Sequence, residues 1–508
     1  MSNAVNISFV LDMQRKLYRW SNGDADKVFA DLFNLVCDRR TLIYAWQRLA
    51  RNRGSQTPGT DGVTRRTVEM RSDGVTGFLD EIREALRNGN YRPEPVRQRL
   101  IPKLGKPGKF RPLGIPTLTD RLVQTALKLI LEPIFEADFY PTSYGFRKGR
   151  STHDALAKIQ HCLQPTKHGP SVYGYVLEGD IKGCFDAIDH HVLMERVRRR
   201  VSDRKVLRLI LAFLRAGVMI EGTIRHPVTG SPQGGIISPM LSNIYLTVLD
   251  ERYGRWSTHP REPARNATNR RFDDRKNGRP AFYMVRYADD FVVLVEGTRE
   301  RAEAEKQALA QFLKTELRME VSMEKTAITS VEEGFNFLGY RVVQAKAIHT
   351  GRPVGKLIIP RSKLNDLRHK IKGMVKEIPT GYPLATLIET LNPVLLGWRN
   401  YYRYAVRAYQ DFSSLDWWIG QRIERWLKRK HHKTHWKQIR RRFTVNVQGE
   451  RYRWVDGRSK LRFLREGGTR RYPHRGMRIP NGWNASPGEW FQKGADKFWE
   501  AFQTLAET

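Results

Sequence analysis

The chain has 508 residues and carries 89 Lys and Arg against 53 Asp and Glu, a formal net charge of +36. This excess suits a partner made of phosphates, because Lys and Arg that neutralise them release counterions. It argues against an enzyme of small metabolites. A merely basic, ribosomal-type protein is the alternative, but such proteins are usually short and poor in aromatic residues. Here 12 Trp, 19 Tyr and 22 Phe accompany 40% hydrophobic content, enough for buried cores in about three to four domains.

The cysteines and the lengths of the apolar runs indicate the cellular compartment in which the protein works. Cys37, Cys162 and Cys184 form no Cys-x-x-Cys pair, which argues against a disulfide scaffold or a zinc module built on cysteine. The amino terminus lacks a basic segment followed by a long apolar run, and no apolar stretch approaches the ~18 residues of a membrane span. We therefore expect a soluble protein of a reducing compartment with no membrane partner.

The first third of the chain predicts helices, a hairpin and a further helix. The predicted elements are helices within 25–50 and 76–88, a loop at 55–62, a hairpin of edge strands over 96–116, and a helix from Thr119 to about Phe135 that pauses at Pro133.

The middle third alternates strands and helices. We expect a strand at 173–180, helices from Asp189, over 203–216 and over 240–251, a backbone-rich loop at 231–235, and helices with interleaved Trp, Tyr and Arg beyond ~346. Residues 251–280 hold nine Lys/Arg and four Asp/Glu, and a solvated loop and a nucleic-acid contact are equally favoured there.

The most informative local pattern is Tyr-Ala-Asp-Asp at residues 287–290, flanked by apolar runs at 281–285 and 291–295. The runs are rich in β-branched and aromatic residues, which predicts two strands with the acids at the tip of a tight hairpin. Adjacent carboxylates repel each other unless cations sit beside them. Asp180 ends another predicted strand, so the three acids are candidates to share a pair of Mg²⁺ ions.

Three segments together resemble the palm motifs of reverse transcriptases, in that family's order. Residues 177–186 read Leu-Glu-Gly-Asp-Ile-Lys-Gly-Cys-Phe-Asp, residues 230–235 read Gly-Ser-Pro-Gln-Gly-Gly, and residues 286–290 read Arg-Tyr-Ala-Asp-Asp. Further segments narrow the resemblance to group II intron-encoded reverse transcriptase/maturase proteins, over roughly residues 50–440. They are Arg-Pro-Leu-Gly-Ile-Pro at 111–116, Ser-Tyr-Gly-Phe-Arg at 143–147, Asn-Phe-Leu-Gly-Tyr at 336–340 and a thumb-like segment at 391–404.

The resemblance implies roles for the palm residues. Asp180, Asp289 and Asp290 match the catalytic metal-binding triad, and the backbone carbonyl of Ile181 is a further expected ligand. Two Mg²⁺ ions are implied as cofactors, with Mn²⁺ as a possible substitute. Phe185 matches the steric gate that would clash with a ribose 2′-hydroxyl and so favour deoxynucleotides; an ordinary core Phe is its alternative.

The resemblance also implies contacts to the incoming nucleotide and the primer. Lys103 and Arg111 match the cations that bind the triphosphate. The guanidinium of Arg can donate two parallel hydrogen bonds to one phosphate group. Gln233 matches the position that braces the nucleotide, and Lys325 matches a Lys near the pyrophosphate that could act as a general acid. Plain surface charge is the alternative for the cations, and a structural turn for Gln233. Residues 337–340 match the primer grip.

The last third predicts nucleic-acid binding. Residues 421–475 hold 19 Lys/Arg against four Asp/Glu, with Trp residues among the charges, which favours nucleic acid over a solvated helical face. On the helix at 391–404 we expect Trp398 and Tyr402 in the core, and Arg399 and Arg403 free to meet phosphate. His431 and His435 have metal-ligand spacing but lack a Cys or acidic partner nearby, so zinc is not expected. No cysteine follows Cys184, so the Cys- and His-containing endonuclease common in this family is not expected either.

These expectations define an α/β (α+β) right-hand polymerase with fingers, an antiparallel palm sheet, an α-helical thumb and a basic C-terminal region. The expected domains are 1–95 (N-terminal extension and first fingers element), 96–345 (fingers and palm), 346–440 (thumb/maturase domain) and 441–508 (basic nucleic-acid-binding region).

The implied activity is RNA-templated DNA synthesis by a mobile-element protein that assists intron splicing and retrohoming. The implied partners are intron RNA, target DNA, a primer–template duplex and dNTPs, and the expected location is the bacterial cytoplasm, as a nucleoid-associated ribonucleoprotein. A domesticated CRISPR-associated or phage-defence reverse transcriptase, or a splicing-only maturase, are the alternatives. The oligomeric state stays open.

Overall fold

A computed structural model of the chain describes residues 3–102, 108, 110–166, 169, 171–220, 223–225, 229–230, 234–259, 261–322, 326–447, 450–476 and 479–483. The described residues form two compact units. The first lies within Met1–Ala155, Tyr175–Ile328 and Arg475–Thr508, and the second within Leu156–Gly174 and Thr329–His474. The four-part division drawn from the sequence stays a prediction.

Helices dominate both units. In chain order they are α1 (Asn3–Gly23), α2 (Phe33–Val36), α3 (Arg39–Ala50), α4 (Arg65–Glu69), α5 (Gly74–Arg87), α6 (Leu118–Glu136), α7 (Thr152–Cys162), α8 (His190–Arg198), α9 (Arg204–Arg215), α10 (Ser238–Tyr245), α11 (Thr247–Arg252), α12 (Ala264–Lys276), α13 (Arg299–Leu317), α14 (Arg361–Glu377), α15 (Leu384–Tyr402), α16 (Ala408–Lys430) and α17 (Trp436–Phe443), with 3-10 turns at Arg53–Gln56 and Gly254–Trp256. Of the helices described, none combines the length and apolarity needed to cross a membrane.

The strands form four small sheets. The strands are β1 (Val96–Pro102), β2 (Phe110–Ile115), β3 (Tyr173–Asp180), β4 (Val218–Ile220), β5 (Thr223–Arg225), β6 (Phe282–Tyr287), β7 (Asp290–Glu296), β8 (Ala327–Ser330), β9 (Phe335–Phe337), β10 (Tyr340–Lys346), β11 (Pro353–Ile358), β12 (Thr444–Val447), β13 (Glu450–Asp456) and β14 (Ser459–Lys460). Their orders are β2-β1-β4-β5, β6-β7-β3-β8, β11-β10-β9 and β12-β13-β14. Mixed helices and sheets with a helical later part agree with the fold class expected from the sequence.

The predicted hairpin at 96–116 is present, with one correction. β1 and β2 pair antiparallel from Arg97↔Ile115 to Pro102↔Phe110. Only β2 is an edge strand, because β1 also pairs in parallel with β4 through Val96 and Arg97. Pro112 lies on the edge strand β2 and Pro102 at the end of β1, where a missing backbone donor is tolerated.

The long helix α6 runs through the proline at which the sequence predicted a pause. It begins two residues after Pro116, and the side chain of Thr117 caps it by accepting from the Asp120 amide at 3.1 Å. A proline at 133 cannot donate to the carbonyl of Leu129. That carbonyl instead accepts from Nε2 of Gln14 at 2.7 Å. A side chain from α1 thus replaces the lost helical bond, and the helix continues to Glu136.

For the polar insertion at 251–280 the sequence left a solvated loop and a nucleic-acid contact equally open. Its described part contains helix α12, which a solvated loop does not account for. The reason is a local ion network, in which the buried carboxylate of Asp274 accepts from Arg255 at 2.8 Å and from the Trp256 indole at 2.9 Å. Arg279 adds a further ion pair to the same carboxylate at 2.9 Å.

The second unit contains the later helices and two of the sheets. Trp426 of α16 is buried, and its indole donates to the carbonyl of Ile378 at 2.9 Å. The small sheet β12-β13-β14 was not expected, since residues 441–460 read only as basic. The described residues near the carboxyl end belong to the first unit, where Arg475 pairs with the buried carboxylate of Asp154 and Trp483 stacks on Tyr18.

Candidate active site at the palm hairpin

The carboxylates at 289 and 290 lie at the tip of a tight hairpin, as the sequence predicts. β6 and β7 pair antiparallel from Phe282↔Val295 to Tyr287↔Asp290, which leaves Ala288 and Asp289 as the two turn residues. Ala288 has a φ of +59°, a left-handed conformation that is uncommon outside glycine, and its side chain is buried. The strain of this turn is concentrated next to the two acids, where functional sites commonly store it.

Asp180 joins these acids from the neighbouring strand. It ends β3, and β3 lies directly beside β7 in the sheet. The pKa of Asp290 is raised to about 6, first by loss of hydration and then by the negative charges of Asp289 and Asp180, while Arg111 opposes the shift. Although Asp290 is exposed as a whole residue, its carboxyl group is crowded by neighbours. The charge of Asp180 thus acts on Asp290 from the neighbouring strand, and the sharing of metal ions by the three acids stays a prediction.

The acids do not form a closed metal cage. Among the described residues, no group of three or more His, Cys, Asp or Glu side chains is gathered closely enough to enclose an ion. Mg²⁺ retains several waters and is commonly held by one or two carboxylates together with substrate phosphates. An open cluster of oxygen donors with mutually unfavourable charge fits that ion, and a nucleotide triphosphate would complete its coordination.

Two glycines allow close packing beneath the acids. A Cβ at Gly145 would lie 2.3 Å from the amide nitrogen of Ala288, and a Cβ at Gly179 would lie 2.1 Å from Cζ of Phe291. Both distances are shorter than any real carbon contact. The loop at 143–147 therefore packs directly on the turn at 287–290, and β3 packs directly on β7, because these positions lack side chains.

A buried polar network supports the same turn and was missed by sequence reasoning. Arg286 and Asp250 are both 0% exposed in their side chains and form an ion pair, and Arg286 also donates to Asn243 and to the carbonyl of Ala288, each at 3.0 Å. The sequence signals were Asn243 and Asp250 within a largely apolar helical stretch at 240–251. Without the fold, nothing connects them to the motif at 286–290.

Phe185 lies in the turn that follows Asp180. It is half-buried, and it is not among the half-buried hydrophobic residues that pack on the main core in the described part of the chain. The neighbouring residue Cys184 is the one that enters the core, at 3% exposure. Phe185 is therefore not a residue of the main core, and its role as a steric gate stays a prediction.

The nucleotide-binding candidates are described only in part. Arg111 is exposed on β2, and its charge reaches Asp290. Lys103, Gln233 and Lys325 lie outside the described residues, so their roles stay predictions. Ile181 is buried, and only its backbone carbonyl remains as a ligand group.

The buried thiols give a chemical test of this packing. Burial raises the pKa of Cys184 to about 12 and that of Cys37 to about 11, so both remain neutral thiols at pH 7.5. Because the thiolate is the reactive form, we expect iodoacetamide to modify the half-buried Cys162 first in the native protein, as read by mass spectrometry. All three should react in denaturant. Rapid alkylation of Cys184 in the native protein would contradict the described packing.

The primer-grip candidate lies in the second unit, in the turn between β9 and β10. Leu338 and Gly339 both have positive φ, and their carbonyls accept from the hydroxyls of Tyr401 and Tyr402 at 2.5 and 3.2 Å. These two hydrogen bonds connect the turn to the carboxyl-terminal end of α15. Of the aromatic residues predicted to be core, Tyr402 is buried and Trp398, 4.5 Å away between ring centroids, is half-buried.

The arginines of α15 differ from the sequence prediction. Arg399 was expected to be free for phosphate, but it donates to the carbonyl of Glu466 at 2.6 Å. Arg403 is half-buried, with its guanidinium near the ring of Tyr404. The long arginine side chain reaches the segment after β14, which carries carbonyl acceptors that were not visible from helical spacing alone.

The basic stretch at 421–475 divides into engaged and exposed cations. Lys430 donates to the carbonyls of Thr380 and Tyr382 at 2.8 and 2.9 Å, and Lys428 pairs with Glu424 at 2.8 Å. The exposed basic residues in the described part of the stretch are Arg425, Lys428, Arg429, Lys433, Lys437, Arg441, Arg442, Arg458, Lys460, Arg462, Arg470 and Arg471. His435 caps α17 by accepting from the Lys437 amide.

Acids at the end of β3 and at the tip of the β6–β7 hairpin, with the charge of Arg111 acting on Asp290, are the arrangement expected in the palm of a metal-dependent nucleotide polymerase. Comparisons with known proteins specify the class. Residues 101–342 match the family "Reverse transcriptase (RNA-dependent DNA polymerase)", and residues 364–444 match "Group II intron, maturase-specific domain".

Curated relatives agree. Protein YkfC of Escherichia coli (strain K12) is 38% identical over 349 residues, covering 66% of this chain and 89% of that protein. Group II intron-encoded protein LtrA of Lactococcus lactis subsp. cremoris is 34% identical over 365 residues, covering 63% and 58%. The Putative COX1/OXI3 intron 2 protein of Saccharomyces cerevisiae is 27% identical over 362 residues, covering 64% and 40%. The chain thus spans little more than half of LtrA and less than half of the yeast protein.

The chain belongs to the family of group II intron-encoded reverse transcriptases that carry a maturase-specific domain. The family predicted from its motifs is confirmed, and the enzyme class is RNA-directed DNA polymerase.

Proposed function

We propose that this protein copies the RNA of its own group II intron into DNA, starting from a primer 3′-hydroxyl and using dNTPs. The observation that carries the proposal is the position of Asp180 at the end of β3, beside the hairpin that carries Asp289 and Asp290, where loss of hydration and then the neighbouring negative charges raise the pKa of Asp290. Repulsion and lost hydration make neighbouring carboxylates unfavourable in the free protein. Bound divalent cations would relieve that repulsion and would also bind the phosphates of a nucleotide.

We assign two roles to the palm side chains, metal binding and triphosphate binding. Asp180, Asp289 and Asp290, with the carbonyl of Ile181, would hold two Mg²⁺ ions, for which Mn²⁺ can substitute. When bound, such ions lower the pKa of the attacking hydroxyl and balance the charge on the leaving pyrophosphate. Arg111 reaches toward the same place, where its fork would grip the triphosphate.

The remaining assignments concern the nucleotide. Phe185 would lie under the sugar and exclude a 2′-hydroxyl. Lys103 would assist Arg111, Gln233 would brace the nucleotide, and Lys325 would protonate the leaving pyrophosphate as a general acid. The protein's share of catalysis is then positioning and charge, as in phosphoryl transfer generally.

The maturase-specific segment suggests the partners. We propose that it binds the structured intron RNA and assists splicing by stabilising the folded form, and that the resulting ribonucleoprotein meets target DNA at the nucleoid during retrohoming. The names of the relatives LtrA and the yeast intron 2 protein refer to introns. A domesticated enzyme or a splicing-only maturase are the competing functions, and the three acids of the palm count against the second.

Two measurements test the proposal. The purified protein should extend a DNA primer on an RNA template with dNTPs in a reaction that needs a divalent cation. Sequencing the RNA that copurifies with it should return intron RNA from the locus that encodes it. Extension with no enriched intron RNA would favour a domesticated enzyme, and intron RNA with no extension would favour a splicing-only maturase.

The basic stretch of the second unit should contribute phosphate contacts. Replacing Arg425, Arg429 and Arg441 by Gln should flatten the slope of log affinity against log salt by up to roughly 2–3 units, since each contact contributes ~0.7–0.9. Lys430 is kept because it binds backbone carbonyls, and its loss would disturb the fold.

Intron RNA and target DNA should be titrated separately in this experiment. The control replaces three exposed cations scattered over other surfaces, Arg66, Lys314 and Lys346, by Gln, which removes the same net charge. If both triple variants show the wild-type slope for both ligands, the stretch is only a solvated face.

A further inference from the structure

A buried ion pair lies directly behind the turn that carries the acids. The side chains of Arg286, on β6, and Asp250, on α11, are both 0% exposed, and they meet through two contacts, at 3.0 Å and 2.5 Å. Asn243 of α10, at 1% exposure, accepts from the same guanidinium at 3.0 Å. We call these three residues the Arg286 network.

The network reaches the catalytic turn from inside. Nη1 of Arg286 donates to the carbonyl of Ala288 at 3.0 Å, and that carbonyl belongs to the peptide bond that leads into Asp289. Ala288 has the left-handed φ of +59°, so its carbonyl points where an ordinary turn residue would not place it. A fixed donor beneath the turn is what holds that orientation.

The same network fastens the loop that packs on the turn. Asn243 donates through Nδ2 to the carbonyl of Gly145 at 2.9 Å while it accepts from Arg286 through Oδ1. The backbone of Arg286 bonds to this loop on both sides, donating to Thr142 at 2.9 Å and accepting from Tyr144 at 2.8 Å. One arginine therefore links two helices, one strand, the loop and the turn.

Stability alone is a weak reason for such a pair. Taking two charges out of water is costly, and apolar residues of similar volume often stabilise a core as well or better. The fork of Arg supplies donors in fixed directions, which a Lys or an apolar residue cannot do. The guanidinium of Arg286 donates four hydrogen bonds. Two go to Asp250, one to Asn243 and one to the carbonyl of Ala288 in the turn. The arrangement fits a role in fixing geometry.

We propose that Asp250 and Asn243, acting through Arg286, are positioning residues that set the two adjacent carboxylates of the turn for metal binding. The inference rests on the proposed function of those carboxylates, and it adds three residues that do not themselves touch substrate. A misplacement of about 1 Å in a reacting geometry can cost on the order of 10²-fold in rate.

The test uses two variants that weaken the network in different ways. Arg286→Lys keeps the buried positive charge but removes the planar fork. Asn243→Ala leaves the Arg286–Asp250 ion pair intact and removes both the Asn243 acceptor for Nη1 of Arg286 and the link to the loop. The matched control is Glu305→Gln, which breaks the pair of Arg252 with Glu305 at the end of the same helix α11 but touches neither the turn nor the loop.

Primer extension is measured first, with saturating primer–template. We expect kcat to fall by about 10-fold in Asn243→Ala and by about 10²-fold in Arg286→Lys, with affinity for primer–template changed by less than about twofold. Glu305→Gln should keep kcat near the wild-type value. Thermal unfolding of all three variants shows whether loss of rate follows loss of stability.

Metal binding is measured separately, without turnover. Mn²⁺ binding to the full chain with a dideoxy-terminated primer, RNA template and dNTP is followed by electron paramagnetic resonance. Both network variants should bind Mn²⁺ several-fold more weakly than wild type and the control. If Arg286→Lys fails to fold, Asn243→Ala decides the matter.

The outcomes distinguish failure of the proposed function from failure of the positioning role. A wild type that extends no primer overturns the proposed function, whereas the Mn²⁺ measurement still decides whether the network positions the carboxylates. Unchanged kcat and Mn²⁺ affinity in Asn243→Ala, or equal losses in Glu305→Gln, overturn the positioning role.

Discussion

Replacing Asp289 or Asp290 by Asn should abolish primer extension while leaving RNA affinity nearly intact. Asn lacks the negative charge and keeps one acceptor oxygen, so it is a poor ligand for a hard cation such as Mg²⁺. The metal ions are proposed to stabilise the transition state by several kcal/mol, and a loss of about 4 kcal/mol is on the order of a 10³-fold fall in rate. RNA binding should persist because its contacts lie on exposed cations elsewhere.

Stability gives this prediction a second readout. Loss of hydration, and then the negative charges of Asp289 and Asp180, disfavour the ionised form of Asp290 and raise its pKa. Removing one of them should leave the free protein at pH 8, without divalent cations, at least as stable as wild type in a thermal melt. If a variant loses activity but keeps its thermal stability, the substitution has impaired catalysis and not folding.

The control for the acids is Asp273→Asn, an exposed acid on α12 that has no proposed role. It should extend primers at the wild-type rate. The assignment of the two acids is wrong if the double Asn variant still extends an RNA-templated primer at near wild-type rate.

Local patterns predicted the parts of the site that local forces determine. The strand at 173–180 and the hairpin around 287–290 were predicted from local sequence, the hairpin from two runs rich in β-branched and aromatic residues, and β3, β6 and β7 are all present there. The hairpin sets the register of Asp289 and Asp290 by itself, since a two-residue turn fixes the pairing of its strands.

Features that depend on distant partners were not predictable in this way. The continuation of α6 through Pro133 depends on Gln14, more than a hundred residues away in the chain. Helix α12 depends on a buried Asp274 surrounded by cations, and a charge-rich stretch of this kind reads equally well as a loop. In each case a long-range polar contact outweighs the local preference.

The same reason explains why the support of the site was missed. Asp250 lies 36 residues before Arg286, and nothing in either segment alone indicates that both become fully buried and paired. Arg399 is the converse case, because helical spacing placed it on a polar face, while the fold brings the carbonyl of Glu466 to it. Sequence patterns thus identified the groups proposed to touch substrate better than the groups that hold them.

Phe185→Val should admit ribonucleotides. The ring lies in the turn just after Asp180, half-buried and outside the main core, which is where a group beneath the sugar of an incoming nucleotide is needed. A smaller side chain leaves space for a 2′-hydroxyl, so the efficiency of rNTP use relative to dNTP use should rise by about 10- to 10²-fold, the range that steric discrimination of a small group supplies. Use of dNTPs should fall much less, because the acids and Arg111 are unchanged.

The measurement compares kcat/KM for one rNTP and its matching dNTP on the same RNA template and primer. Phe312→Val is the control, since Phe312 is also half-buried but lies on α13 beneath the guanidinium of Arg252. It should lose a similar amount of packing without changing the ratio. An unchanged ratio in Phe185→Val, or an equal change in the control, would make Phe185 an ordinary packing residue and leave sugar selection to some other group of the palm.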